Sequence, residues 1–194
     1  MKIFRLAILI FVSVFLTACA IPYAPARISS NKAPTYSKEA KRLFVMTDIG
    51  SEVRQLYADA FKKKIQVFAK QCGMELETST LNALELDSSV HTTRMKTFNA
   101  DTVLQIRRNG GTTYQGVLIW AIYDVKLIDL ATGSTVWRAK FNFQLGGDFS
   151  SEAARGEALA TDLSNKMKVD GVFGSCKVAD VQETPKSTLG TFQR

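Results

Sequence analysis

The chain has 194 residues, 46% of them hydrophobic, and a formal charge of +7 from 25 basic and 18 acidic side chains. That length suffices for one domain with a proper core. A single histidine excludes chemistry that needs two, and a mildly basic balance suits an anionic partner such as lipid head groups or cell-wall polymer without demanding one.

Lys2 and Arg5 precede a stretch from Leu6 to Phe15 that is apolar except for Ser13. This run is about half the length a bilayer-spanning helix requires, so it reads as the core of an export signal. Leu16-Thr17-Ala18-Cys19 then has the form of a lipobox: a branched apolar residue, two small residues that fit a narrow peptidase site, and a cysteine whose thiol carries lipid. The expectation is a signal peptide over 1–18, cleavage before Cys19, and acylation of that cysteine. An ordinary secretory signal whose cleavage site contains a cysteine is the alternative. Ala20, not aspartate, follows, which resembles lipoproteins sent to the outer membrane, on its periplasmic face. Each buried methylene contributes about 0.8 kcal/mol, so several acyl chains anchor firmly. Removing 1–18 takes away Lys2 and Arg5 and no acid, leaving +5.

Residues 19–39, rich in Pro, Ala, Ser and Asn without sustained periodicity, read as the lipidated cysteine and a flexible tether. A single periplasmic domain is expected over 40–176 and a polar, loose tail over 177–194. Leu43-Phe44-Val45-Met46 reads as a buried strand. A helix follows, with Val53, Leu56, Tyr57, Ala60, Phe61, Ile65, Phe68, Ala69 and Cys72 on one face, Lys62, Lys63, Gln66 and Lys70 on the other, and Gly73 as its stop. Met74 to Thr80 alternates Met74, Leu76 and Thr78 against Glu75, Glu77 and Ser79, the period of a half-buried strand. Ser88 to Phe98 reads as a helix with too few apolar residues to fix a period.

Thr102 to Arg108 reads as a strand, Asn109-Gly110-Gly111 as a turn, Tyr114 to Leu130 as a long strand, and Ala131-Thr132-Gly133-Ser134 as a second turn. Thr135 to Leu145 alternates strictly, with Val136, Arg138, Lys140, Asn142 and Gln144 on one face and Trp137, Ala139, Phe141, Phe143 and Leu145 on the other. Ser150 or Ser151 caps a last helix whose Ala153, Gly156, Leu159, Ala160, Leu163 and Met167 form a stripe suited to close packing on a sheet. The order β-α-β-(α)-β-β-β-α predicts an α+β fold, a mixed sheet with helices against it.

Chemistry is thinly represented. His91 sits among Thr92, Thr93 and Arg94 with no cysteine or second histidine at ligand spacing, so it reads as a surface histidine and no metal is expected. Asp124, Asp129, Glu75, Glu77, Glu85 and Asp87 read as solvated charges, and nothing local implies a raised carboxyl pKa. Asn109-Gly110-Gly111 and Gly146-Gly147 lack the lysine spacing of a phosphate loop. No cofactor, catalytic residue or nucleic-acid partner is expected. Cys72 and Cys176 remain as an even pair, either a disulfide, natural in an oxidising compartment, or two buried thiols. Lys62, Lys63 and Lys64, with Arg54, Lys70 and Arg107-Arg108, form either a solvated face or a docking site for an anionic surface. Leu118 to Ile122 is apolar on both faces. Either the monomer covers both, or Trp120 is an interface residue.

The run Tyr123 to Gly133 leading to Val136-Trp137, a strand, a "D-x-x-T-G" turn and a Trp strand, and the order of elements from Lys41 to Gly174 are similar to a superfamily of small periplasmic lipoproteins whose folded part looks like the N-terminal domain of TolB. Relatives of LpoB, PelC and the curli-secretion lipoproteins belong to it. The resemblance implies a non-enzymatic accessory role, an assembly or interaction component of an envelope machine, with a protein partner or a homo-oligomer beside the membrane anchor. The curli lipoprotein's pore-forming extensions have no counterpart here. A second class of function is a carrier of lipid or another apolar ligand for an envelope transporter, which requires an apolar cavity.

Overall fold

The computed structural model of the chain describes residues 26–49, 55–82, 84–114, 117–144, 151–174 and 176. The signal segment 1–18, Cys19, the tail 177–194, Val53, Arg54 and Gly146-Gly147 lie outside the described residues. In chain order the elements are β1 (Arg27–Lys32), β2 (Arg42–Thr47), α1 (Gln55–Gln71), β3 (Glu75–Thr80), α2 (Ser89–Thr97), β4 (Thr102–Tyr114), β5 (Val117–Asp129), β6 (Ser134–Gln144) and α3 (Glu152–Val169). The strands form one sheet in the order β1-β6-β5-β4-β2-β3. β2 runs parallel to β3 and β4 and the other neighbours are antiparallel, so the α+β class with a mixed sheet is what the chain adopts.

β2 lies between β3 and β4, and Leu43, Phe44 and Val45 are fully buried on both of its faces, which is why its sequence is a continuous apolar run. α1 and α3 cover one face of the sheet. Tyr57, Phe61, Ile65 and Phe68 from α1 and Leu159, Leu163 and Met167 from α3 meet Leu43, Val45, Leu104, Ile106, Val125 and Phe141 in one core. α2 covers only part of the opposite face, where the Phe98 ring at its end meets Phe44 at 6.3 Å. Beyond it the outward side of β5, β6 and β1 is open. Arg138, Lys140, Asn142 and Gln144 are exposed there, opposite in alternation to buried Trp137, Ala139, Phe141 and Phe143, as the period-two pattern of β6 requires.

Five sequence expectations are corrected. The reading of 19–39 as a tether fails over Arg27–Lys32, where β1 pairs with β6 and places Ile28, Ser30 and Lys32 against Phe141, Ala139 and Trp137. Its sequence RISSNK carries a single apolar residue because an edge strand half open to solvent needs no more. Asn109-Gly110-Gly111 is not a turn: β4 runs on to Tyr114, and the register shifts between Arg108 and Gly111. Gly110 and Gly111 take φ +130° and +138°, and a Cβ on Gly111 would lie 2.5 Å from the Trp120 carbonyl, so these glycines serve a bulge instead.

Leu56 points to solvent at 66% exposure, although it falls on the apolar side of the α1 helical pattern. In β3, Ser79 rather than Thr78 is the buried residue, because it faces α2. Finally, the small-residue stripe of α3 packs on α1 as well as toward the sheet. A Cβ on Gly156 would stand well inside contact distance of the Tyr57 carbonyl and 3.1 Å from the Phe61 nitrogen. Gly156→Ala is therefore expected to lose about 1–3 kcal/mol as the helices are forced apart. Urea denaturation checks this, and an unchanged midpoint would contradict the packing.

Candidate interaction surface

His91 is 4% exposed, not the surface histidine expected from its neighbours, and stands at the centre of a polar cluster under α2. Arg94 Nη1 donates to Ser79 Oγ at 3.1 Å, Ser79 Oγ and His91 Nδ1 share a hydrogen bond at 2.7 Å, and His91 Nε2 donates to Glu85. Arg94 also grips Glu77 through Nε (3.1 Å) and Nη2 (2.8 Å). A serine, a histidine and a glutamate in a row resemble a hydrolytic triad in composition. Here the serine is 1% exposed, it takes an arginine bond, and it meets Nδ1 where the hydrolytic arrangement uses Nε2. The cluster pins α2, which buries only His91 of its own residues, to β3.

The remaining carboxylates are tied in structural roles. Asp87 accepts from the Ser89 nitrogen (2.8 Å), Arg42 pairs with Glu75 (3.3 Å), and Asp124 accepts from Asn109 Nδ2 (2.5 Å). The D-x-x-T-G motif is a self-bonded turn: Asp129 accepts from the Ala131 nitrogen and Thr132 Oγ1, each at 3.3 Å, and from Lys38 Nζ at 2.5 Å. Asp170, after α3, accepts from Ser30 (2.6 Å), Trp137 Nε1 (2.8 Å) and Lys166 (2.7 Å). The Lys38 hydrogen bond outweighs burial and holds the Asp129 carboxyl below its usual 3.8. At Asp170 burial pushes upward, but the bonds from Lys166, Ser30 and Trp137 prevail and the carboxyl again lies below 3.8.

Both acids thus contribute stability that is complete above pH 3.8 and lost as pH falls through their lower folded values. The thermal midpoint is expected to stay level from neutrality to about pH 5 and then drop on the acid side. Asp170→Asn should flatten that drop, and an equally steep acid limb in this variant would contradict it.

Cys72 and Cys176 are joined as a disulfide, with Cα atoms 4.5 Å apart across 104 residues of sequence. The bond closes the end of α1 onto the segment after α3, where Phe68 meets Phe173 at 6.1 Å. Lys62 is half-buried and Lys63 and Lys64 are exposed on α1, on the helix-covered side of the sheet. Arg107 alternates to the opposite, open side, so the structure does not join these basic runs into one patch.

The open side carries a basic site that the sequence reading missed. β5 and β6 put Lys126 directly across from Arg138, and Asp124 across from Lys140. On β1, Asn31 lies beside Arg138 and Ser29 beside Lys140. These side chains line a shallow, open concavity of about 510 Å³. Like charges opposed on neighbouring strands repel. Among the described residues no ion pair engages Lys126, Arg138 or Lys140. The signal was present in the alternation of β6, but its pairing with Lys126 depends on register.

Trp120 is 37% exposed and lies on this same side, two pleats beyond Asp124. Ile119 and Tyr114 are exposed beside it, so the monomer does not cover the apolar run at the end of the β4–β5 hairpin. The side chain of Leu118 lies outside the described residues.

The fold and its surfaces define a small α+β domain whose accessible features are a basic sheet face and an apolar hairpin end. No family model matches the chain, and no curated protein matches it. Among solved structures it is similar to a single-substitution variant of PelC from Paraburkholderia phytofirmans, crystallised as a dodecamer, at TM-score 0.48 and 16% identity over 72% of this chain and 96% of that one. A second PelC dodecamer from the same organism gives TM-score 0.47 and 15% identity, over 72% of this chain and 95% of that one. Protein XCC0632 from Xanthomonas campestris, of the DUF330 family, gives 0.35 and 12%, over 76% and 90%.

Proposed function

We propose that this protein is a non-enzymatic lipoprotein of the cell envelope, anchored through Cys19 on the periplasmic face of the outer membrane. It works there as an assembly or interaction component, holding a protein partner or further copies of itself. The lipobox Leu16-Thr17-Ala18-Cys19 supports the anchor, and a disulfide between Cys72 and Cys176 suits an oxidising compartment.

The observation that carries the interaction role is the half-covered sheet. The face over β5, β6 and β1 opposes Lys126 to Arg138 without a paired acid, an arrangement that costs the monomer and is relieved by an anionic partner surface. The buried Ser79–His91–Glu85 row supports a non-catalytic reading, since its serine is shielded from solvent. The described concavity is basic and open, which favours this reading over an apolar-ligand carrier.

A photoreactive residue at position 140, activated in intact cells and followed by mass spectrometry, tests the role. A discrete higher-mass adduct with an envelope protein or a second copy is expected, and it should be lost in the Lys126→Gln, Arg138→Gln variant. An uncrosslinked chain would overturn the proposal.

A further inference from the structure

Exposed apolar side chains are not scattered over this molecule. Of the nine large hydrophobic residues exposed among the described residues, only Val67 and Val169 lie away from one end of the sheet. Topology places the rest together. β2, β3 and β4 are parallel and share a C-terminal end. α2 starts just beyond that end of β3, which puts Leu84, Leu86 and Val90 there. The β4–β5 hairpin projects past the same end with Tyr114, Ile119 and Trp120. Leu56, in the first turn of α1, joins them after β2.

Leu84 is 85% exposed, and Leu86 is fully so, a level that isolated surface leucines seldom reach in company. The acids between and after them are engaged locally, Glu85 with His91 and Asp87 with the Ser89 nitrogen, beside the two exposed leucines.

The second observation is where the chain enters. Arg27, the first residue of β1, pairs with Asn142, which in turn pairs with Ile122. Trp120 is two residues beyond Ile122 along β5. Strand spacing of about 4.8 Å and a rise of about 3.4 Å per residue put the Arg27 and Trp120 backbones about 12 Å apart. The seven residue-to-residue steps from Cys19 to Ala26 reach at most about 25 Å when fully extended. A lipid on Cys19 therefore holds the bilayer within reach of the end of the sheet that carries Trp120.

We infer that this end is a membrane-contacting surface: Leu84, Leu86, Tyr114, Ile119 and Trp120 enter the interfacial layer of a lipid bilayer beside the anchor. Leucines supply the apolar area, and a tryptophan and a tyrosine suit the level of the head groups. The orientation follows. The open face with Lys126, Arg138 and Lys140 stands roughly perpendicular to the membrane, accessible from the side to the partner proposed above. The inference rests on the anchoring reading for its geometry, and its test reads the surface separately.

The full chain is reconstituted into vesicles of phosphatidylcholine containing lipids with brominated acyl chains. The chain has two tryptophans, and Trp137 is 1% exposed inside the core, so only Trp120 is within reach of the quencher. The expected result is loss of the Trp120 share of the emission with the Trp137 share retained. Trp120→Phe should abolish the quenching, and L84S/L86S should reduce it while leaving the folding transition unchanged. Full Trp120 emission from protein that floats with the vesicles would overturn the inference. A detergent-stable oligomer that Trp120→Ser dissociates, with no quenching in vesicles, would overturn it in favour of a second copy. Quenching with Cys19 found unmodified by mass would sink the anchor and leave this surface standing.

Discussion

Replacing both Cys72 and Cys176 by alanine is expected to cost about 4–5 kcal/mol, the loss of conformational restriction for a closed loop of about 100 residues. The cysteines are 3% and 7% exposed, and the bond fastens the last turn of α1 to the segment that carries Val172 and Phe173 into the core. Without it, residues 170–174 are held by Phe68 and Phe173, by Lys168 over the Phe68 ring, and by the bonds to Asp170. For a domain of this size such a loss lowers the thermal midpoint by about 8–20 °C. Reduction of the native protein should reproduce most of the shift. Calorimetry with and without reductant measures it, and a fall of under about 3 °C would mean the loop contributes far less than its length implies.

Trp137→Ala is the second large effect, with an expected loss of about 3–5 kcal/mol. Trp137 is 1% exposed, stands opposite Leu127 on β5 and Lys32 on β1, and donates Nε1–H to Asp170 at 2.8 Å. Truncation opens a cavity under three strands and removes one of three donors from a partly buried carboxylate. Trp137→Phe separates the two contributions. It keeps most of the volume and loses the hydrogen bond to a charged acceptor, so about 1.5–3 kcal/mol is expected. Equal losses in the two variants by urea denaturation would show that the hydrogen bond, and not the packing, dominates.

Elements with a strong apolar period were legible in the sequence. α1 and β6 follow their patterns because each buries one face, and the Ala131-Thr132-Gly133-Ser134 turn follows its residues because Asp129 bonds within it. What escaped depends on long-range pairing. β1 carries only Ile28 as an apolar mark, and it is a strand because β6 offers it an edge. Asn109-Gly110-Gly111 supplies the torsions of a turn and of a bulge alike, and Ala121 and Trp120 across the ladder decide between them. His91 looked solvated among threonines, but Ser79, twelve residues earlier, faces it only once β3 and α2 are stacked. The basic site was half legible: alternation puts Arg138 and Lys140 on one face of β6, but Lys126, twelve residues before Arg138, meets it through register. Of the interface candidates, Trp120 is 37% exposed at the end of the hairpin, while Lys62 and Lys63 stand on another side of the molecule.

Intact-mass analysis of the protein extracted from native envelopes weighs the anchoring most directly. The mass of a chain beginning at Cys19 and carrying acyl groups is predicted, in the membrane pellet, with Cys19→Ser shifting the protein to the unprocessed form. A chain retaining Met1 through Ala18, or one recovered unacylated from the soluble fraction, would contradict it.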